Sequence, residues 1–219
     1  MGRKQALFHG DDRRFDDLAD FVGNYFTNNV KYIADVAGGQ GMLSRLLKKK
    51  YNFECEVIDP REYSLKGVFH RKTYFKVEMA AYYDLLLGLH PDGALPELVL
   101  ASIIRPTLIV PCCNFWSPCR MGIKEMIADI QCWYKEHEVS YDIVCFPFSG
   151  PYNIGMITTP PISSPVKIRE VGSHLNKSDQ ITEIRGARRQ FKAKARSSKF
   201  VKSKGCCIQT NVTSDPGTT

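Results

Sequence analysis

A short apolar run, Tyr32-Ile33-Ala34-Asp35-Val36, leads directly into Ala37-Gly38-Gly39-Gln40-Gly41, and a helix-like stretch from Met42 to Lys50 follows at once. This junction constrains the fold more than any other part of the chain. Closely spaced glycines permit a tight turn and let a ligand approach the backbone, while a helix opening there presents unpaired N–H groups. A second run, Phe53 to Ile58, ends at Asp59-Pro60. Asp59 follows Gly41 by 18 residues, close to the spacing of about 20 at which a carboxylate meets the hydroxyls of a bound ribose.

The same alternation continues along the chain. Residues 6–30 read as a helix, with Asp11 or Asp12 as its cap and Phe15, Leu18, Ala19, Val22 and Phe26 near helical spacing. Thr73 to Val77 reads as a third strand, Tyr83 to Leu89 as a fourth and Pro106 to Val110 as a fifth. Ala94 to Ile104 and residues 121–137 read as helices, the latter burying Met126, Ile127, Ile130 and Trp133. Tyr141 to Phe146 and Tyr152 to Thr158 read as two last strands. The turn-rich Pro147-Phe148-Ser149-Gly150-Pro151 between them is too short for a parallel crossover, which takes about a dozen residues, so they form an antiparallel hairpin. The expected fold class is α/β: a seven-stranded, mostly parallel Rossmann-like sheet with helices on both faces and a terminal reversed hairpin.

A dinucleotide fingerprint would read G-x-G-x-x-G, but Ser44 stands where the third glycine falls. Asp35, the glycine loop, Asp59 and the terminal hairpin together resemble class I methyltransferases, which bind S-adenosylmethionine. The resemblance implies a cofactor site at Asp35, Ala37, Gly38, Gly39, Gly41, Asp59 and Leu89. In it Asp35 orients the loop and faces the methionine part, and Asp59 takes the ribose.

Two further segments, Gly88-Leu89-His90-Pro91-Asp92-Gly93-Ala94 and Pro111-Cys112-Cys113, resemble a group that includes tRNA ribose 2′-O-methyltransferases and their relatives. That likeness covers about residues 30–160. The chain departs from the tRNA enzymes in Pro91-Asp92 and in Asn114-Phe115-Trp116. Its catalytic candidates are His90, Asp92, Cys112 and Cys113. His90 suits removal of a hydroxyl proton near neutral pH; the other reading of His90 and Asp92 is a cap for the helix at Ala94. The cysteines are open to three readings: small apolar lining, a nucleophile, or metal ligands with Cys119 or His90. Cys113 and Cys119 lack a usual zinc spacing, so no metal is expected. Phe115 and Trp116 are either base-stacking aromatics or core, and Trp133 is expected in the core.

Charge divides the chain. Residues 1–165, the expected catalytic domain, hold 18 Lys and Arg against 19 Asp and Glu; residues 166–219 hold 12 against 4. The excess that makes the net charge +7 thus lies wholly in a basic tail. Arg185, Arg188, Arg189, Lys192, Lys194 and Arg196 are its densest part and the candidates for contact with RNA phosphates. Residues 179–196 could form a basic helix, and a solvated tail with no partner is the alternative reading. No apolar run approaches the ~18 residues that span a bilayer, and the first residues lack a hydrophobic signal core. The eight cysteines form no C-x-x-C pair. They read as reduced thiols of a cytoplasmic protein, or a nuclear one in a eukaryote.

Overall fold

The computed structural model describes residues 10–26, 30–118, 121–149 and 152–162. The tail, with its six cationic candidates and the expected 179–196 helix, and Cys119 lie outside them.

The chain runs α1 (Arg13–Tyr25), β1 (Tyr32–Val36), α2 (Met42–Tyr51), β2 (Glu54–Ile58), β3 (Phe69–Arg71), β4 (Leu85–Leu89), α3 (Leu95–Ala101), β5 (Thr107–Val110), α4 (Ile123–Glu136), β6 (Ser140–Cys145) and β7 (Ile154–Thr159). The strands form one sheet in the order β3-β2-β1-β4-β5-β7-β6. The first five are parallel, and β7 runs antiparallel to both β5 and β6. This is the expected sheet: seven strands, mostly parallel, with a reversed hairpin at the end of the chain.

Alternate residues of each central strand serve opposite faces. Ile33, Leu85, Leu87 and Leu108 pack with Leu18, Val22, Leu43 and Leu47 of α1 and α2. Ala34, Leu86 and Ile109 pack with Leu98, Met126, Ile130 and Trp133 of α3 and α4. Both faces are thereby covered, which explains why β4 and β5 are apolar without alternation. The expected buried stripe of α4 is present, with Tyr134 added.

Three expectations are corrected. The third strand is Phe69–Arg71, not Thr73–Val77; Phe75 and Val77 are buried, but a loop and a 3-10 turn over Val77–Tyr82 carry them into the core. β3 is an edge strand of exposed and half-buried residues, so apolar pattern gave no sign of it. Within the described residues the first helix runs from Arg13 to Tyr25, and residues 6–9 and 27–29 of the expected helix lie outside them. Asp12 stands at its cap without a side-chain bond, while the Asp11 carboxylate accepts from Arg13 N at 3.0 Å and from Ser149 N at 2.9 Å. The helix after β4 is α-helical only from Leu95 to Ala101, and turns carry the chain on to Pro106.

Strand order reverses between β1 and β4. In open α/β sheets a crevice forms there, outside the carboxyl ends of the strands. Those ends carry the glycine loop, Asp59, His90 and the two adjacent cysteines.

Candidate cofactor site

The loop after β1 is held by its own glycines. Gly39 and Gly41 have φ of +60° and +80°. A Cβ at Gly41 would stand 2.6 Å from Val68 Cγ1 and 2.8 Å from Val57 Cγ2. At Gly38 a Cβ would meet Asp35 Cγ at 2.4 Å, so the turn lies flat on that carboxyl group. Ala37 N donates to Ile58 O at 2.9 Å, joining the loop to the end of β2.

Asp35 is buried in this turn. One of its oxygens accepts from Ser44 Oγ at 2.8 Å and from Ser44 N at 3.3 Å, which pins the first turn of α2 to the end of β1. Burial pushes its pKa up to about 6, against the opposing pull of the Ser44 bonds; the charge of Asp59 adds to the rise.

Asp59 is equally buried. Its Oδ2 accepts from Gly39 N at 2.9 Å, so the acid at the end of β2 grips the glycine loop. Arg61 covers it: Nε donates to Oδ1 at 2.9 Å, the guanidinium also reaches Oδ2 at 2.7 Å, and the Arg61 backbone N–H donates to Oδ1 at 2.9 Å. Burial alone would raise the Asp59 pKa, but the Arg61 and Gly39 bonds outweigh it and hold the carboxyl below its ordinary value. Arg61 also reaches Ala37 O at 3.4 Å. It was not among the sequence candidates, and neither was Ser44; the visible sign was a cation two places after the strand-end acid.

At the end of β4, His90 and Asp92 both have left-handed backbones, with φ of +55° and +44°. Ala37 shares this conformation at the end of β1, with φ of +56°. The other non-glycine cases among the described residues, Asn52 and Glu138, follow the ends of α2 and α4, where left-handed residues are common. Such conformations cost about 1 kcal/mol or more each and gather at functional sites. His90 N donates to Val110 O, tying β4 to β5. His90 Nε2 lies 3.1 Å from Tyr152 O. A carbonyl only accepts, so Nε2 carries the proton and Nδ1 the lone pair. Burial holds the His90 pKa below its ordinary value, although the Tyr152 carbonyl pulls the other way.

The capping reading of His90 and Asp92 does not hold: Ala94 is the cap residue of α3, and no side chain bonds there. Asp92 turns instead to the cysteines, with Oδ1 3.7 Å from Cys112 Sγ. Cys112 is half-buried and Cys113 exposed, their sulfurs 3.5 Å apart. Burial first, then Cys113 and Asp92, push the Cys112 thiol up to about 12, which is far from an activated nucleophile. Leu89 is buried in the core on the α1 and α2 side. The aromatic pair is split: Phe115 is exposed, while Trp116 is buried edge-to-face against Trp133 and donates to Asp129 Oδ2 at 2.6 Å. Only Phe115 remains available for stacking, and Trp133 is core as expected. The bonds to Asp59 raise the Arg61 guanidinium above its ordinary pKa, against burial, with smaller contributions from the charges of Asp59 and Asp92.

No protein-family model and no curated protein matches the chain. Among solved structures it is similar to a protein named as a hemolysin from Streptococcus thermophilus, at 12% identity over 88% of this chain and 79% of that one, with a TM-score of 0.46. It is similar to the plantazolicin methyltransferase BpumL in complex with SAH, at 15% identity over 68% and 86% of the two chains and a TM-score of 0.44. A SAM-dependent methyltransferase from Archaeoglobus fulgidus shows 12% identity over 82% and 86%, with a TM-score of 0.40. The strand order itself, β3-β2-β1-β4-β5-β7-β6 with β7 reversed, is that of a mostly parallel Rossmann-like sheet. Among the described residues no helix is long and apolar enough to cross a membrane.

Proposed function

We propose that the protein is an S-adenosylmethionine-dependent methyltransferase. The observation that carries this reading is the junction of Gly39 N with Asp59 Oδ2 at 2.9 Å, at the switch point of a 3-2-1-4-5-7-6 sheet. It sets a buried, ionised acid beside a glycine turn, where a ribose diol finds its acceptor. Asp35 holds the loop through Ser44. Bound S-adenosylmethionine supplies a methyl group on a sulfonium, ready for in-line displacement. The protein then has to align the acceptor and take its proton. His90 Nδ1, at the end of β4, is the base this geometry offers.

RNA is the acceptor class we favour. The support is the basic excess of residues 166–219, which suits phosphate contact through Arg185, Arg188, Arg189, Lys192, Lys194 and Arg196. Calorimetry tests the cofactor: Gly39→Arg is expected to abolish S-adenosylmethionine binding, and unchanged affinity refutes the site. Deletion of residues 178–204 is expected to weaken RNA binding and flatten its salt dependence. Equal methyl transfer to RNA without that segment would turn the substrate toward a protein or small molecule.

One observation favours a second reading, a catalytically silent Rossmann-like domain acting as a binding subunit. Arg61 already occupies both oxygens of Asp59. On that reading neither the unsubstituted chain nor Arg61→Ala binds the cofactor.

A further inference from the structure

Beyond the ends of β4 and β5 three donor atoms converge from two separate turns. Cys112 Sγ lies 3.5 Å from Cys113 Sγ and 3.7 Å from Asp92 Oδ1, and the donor atoms of the three residues all lie within 4.8 Å of one another. Successive side chains on a strand point to opposite faces. Cys112 and Cys113 escape that rule because β5 ends at Val110 and Pro111 intervenes, so both sulfurs turn to the same side. The third donor arrives through the left-handed backbone of Asp92.

These separations match a known coordination chemistry. Zinc takes thiolate sulfur at about 2.3 Å and carboxylate oxygen at about 2.1 Å, which in a tetrahedron sets two sulfurs about 3.8 Å apart and sulfur from oxygen about 3.6 Å apart. Two thiolates and a carboxylate held this close repel one another unless a cation lies between them, and thiolate donors select zinc over magnesium or calcium. Asp92 and Cys113 are exposed, so solvent reaches the cluster. Three protein ligands with a fourth position left to water or a substrate is the arrangement of catalytic rather than structural zinc.

We propose that Asp92, Cys112 and Cys113 form a binding site for a thiophilic divalent cation of the zinc class, open on one side at the mouth between β4 and β5. Loading converts two thiols to thiolates and releases their two protons to solvent; Asp92 enters as its carboxylate, and nothing is oxidised or reduced. The site does not depend on the cofactor reading.

The test uses the full reduced chain carrying Cys206→Ser and Cys207→Ser, which removes the second adjacent pair of cysteines. Cobalt(II) serves as the optical probe, and zinc is titrated against a chromophoric chelator. The expected result is one equivalent bound with thiolate-to-cobalt charge-transfer absorption. Cys113→Ser and Asp92→Asn should each weaken zinc at least about 10-fold, while Cys145→Ser, in β6, leaves affinity unchanged. Zinc should also protect Cys112 and Cys113 from alkylation in the unsubstituted chain, a readout that needs no variant to fold. Binding that survives loss of both Cys112 and Cys113, absence of the charge-transfer band, or equal alkylation with and without zinc overturns the proposal.

Discussion

Arg61 clasps Asp59 through both carboxylate oxygens, at 2.9 and 2.7 Å, although the guanidinium is 60% exposed and the carboxylate only 1%. The acid that should receive a ribose is therefore already paired, by a side chain with room to leave.

Cofactor binding must displace this clasp or work around it. A half-solvated ion pair is worth roughly 1 kcal/mol. Arg61→Ala should tighten S-adenosylmethionine by about 3- to 10-fold in calorimetry. A weakened affinity would show instead that the guanidinium is a direct contact to the cofactor.

Gly38 has no room for a side chain, because a Cβ would lie 2.4 Å from Asp35 Cγ. Gly38→Ala should cost about 1–3 kcal/mol and lower Tm by roughly 3–10 °C. Gly93 has nothing within 4 Å of its would-be Cβ, and Gly93→Ala should stay within about 0.5 kcal/mol. Thermal unfolding of the two variants checks the contrast.

Asp35 makes stability depend on pH in a particular direction. Its pKa rises from 3.8 to about 6 on folding, first through burial. The folded state therefore binds the proton more tightly than the unfolded chain. Its contribution is full below about pH 4 and is lost as pH rises through about 6, on the order of 3 kcal/mol for a fully buried group. Asp35→Asn lacks that dependence. Urea unfolding at pH 4, 5, 6 and 7 should show the unsubstituted chain losing stability relative to the variant as pH rises. A constant difference would place Asp35 in contact with water.

His90 should matter to turnover and not to cofactor affinity. Removal of a general base costs about 10²- to 10⁴-fold in rate. His90→Gln is expected to lose kcat to that extent while S-adenosylmethionine Kd stays unchanged. Because burial lowers the His90 pKa, the base stays neutral further into acid. The rate should rise with pH through a midpoint below 6.5, the ordinary histidine value, and then level off. Labelled-methyl transfer across pH checks this; equal kcat in the variant would remove His90 from the chemistry.

Much of this was written in the order of residue types. The run into Gly38, Gly39 and Gly41 determined a strand, a tight turn and a helix, because glycine takes the left-handed angles at 39 and 41 without strain and leaves room for Asp35 at 38. The apolar runs at Leu85–Leu89 and Thr107–Val110 determined central strands, because only burial on both faces accommodates them. The short link after Cys145 determined a reversed hairpin, because a parallel return needs more chain.

Other features depend on through-space contact, which spacing does not encode. The edge strand Phe69–Arg71 draws its place from ladder hydrogen bonds to β2, not from an apolar face of its own. Trp116 and Phe115 are neighbours in sequence, yet one is core and the other surface, because Asp129 and Trp133 on α4 receive only Trp116. In sequence Asp92 suits both a catalytic role and a helix cap; the left-handed turn after β4 carries it to Cys112, 20 residues on. Arg61 carried only a faint sign, a cation two places after the strand-end acid, and folding of the loop after β2 closes it over Asp59. The sequence by itself determined the central strands, the terminal hairpin and the glycine cradle, since these follow from local backbone and burial rules. Only the tertiary structure decided which charges and thiols meet at its mouth, since those meetings arise where separate strand ends converge.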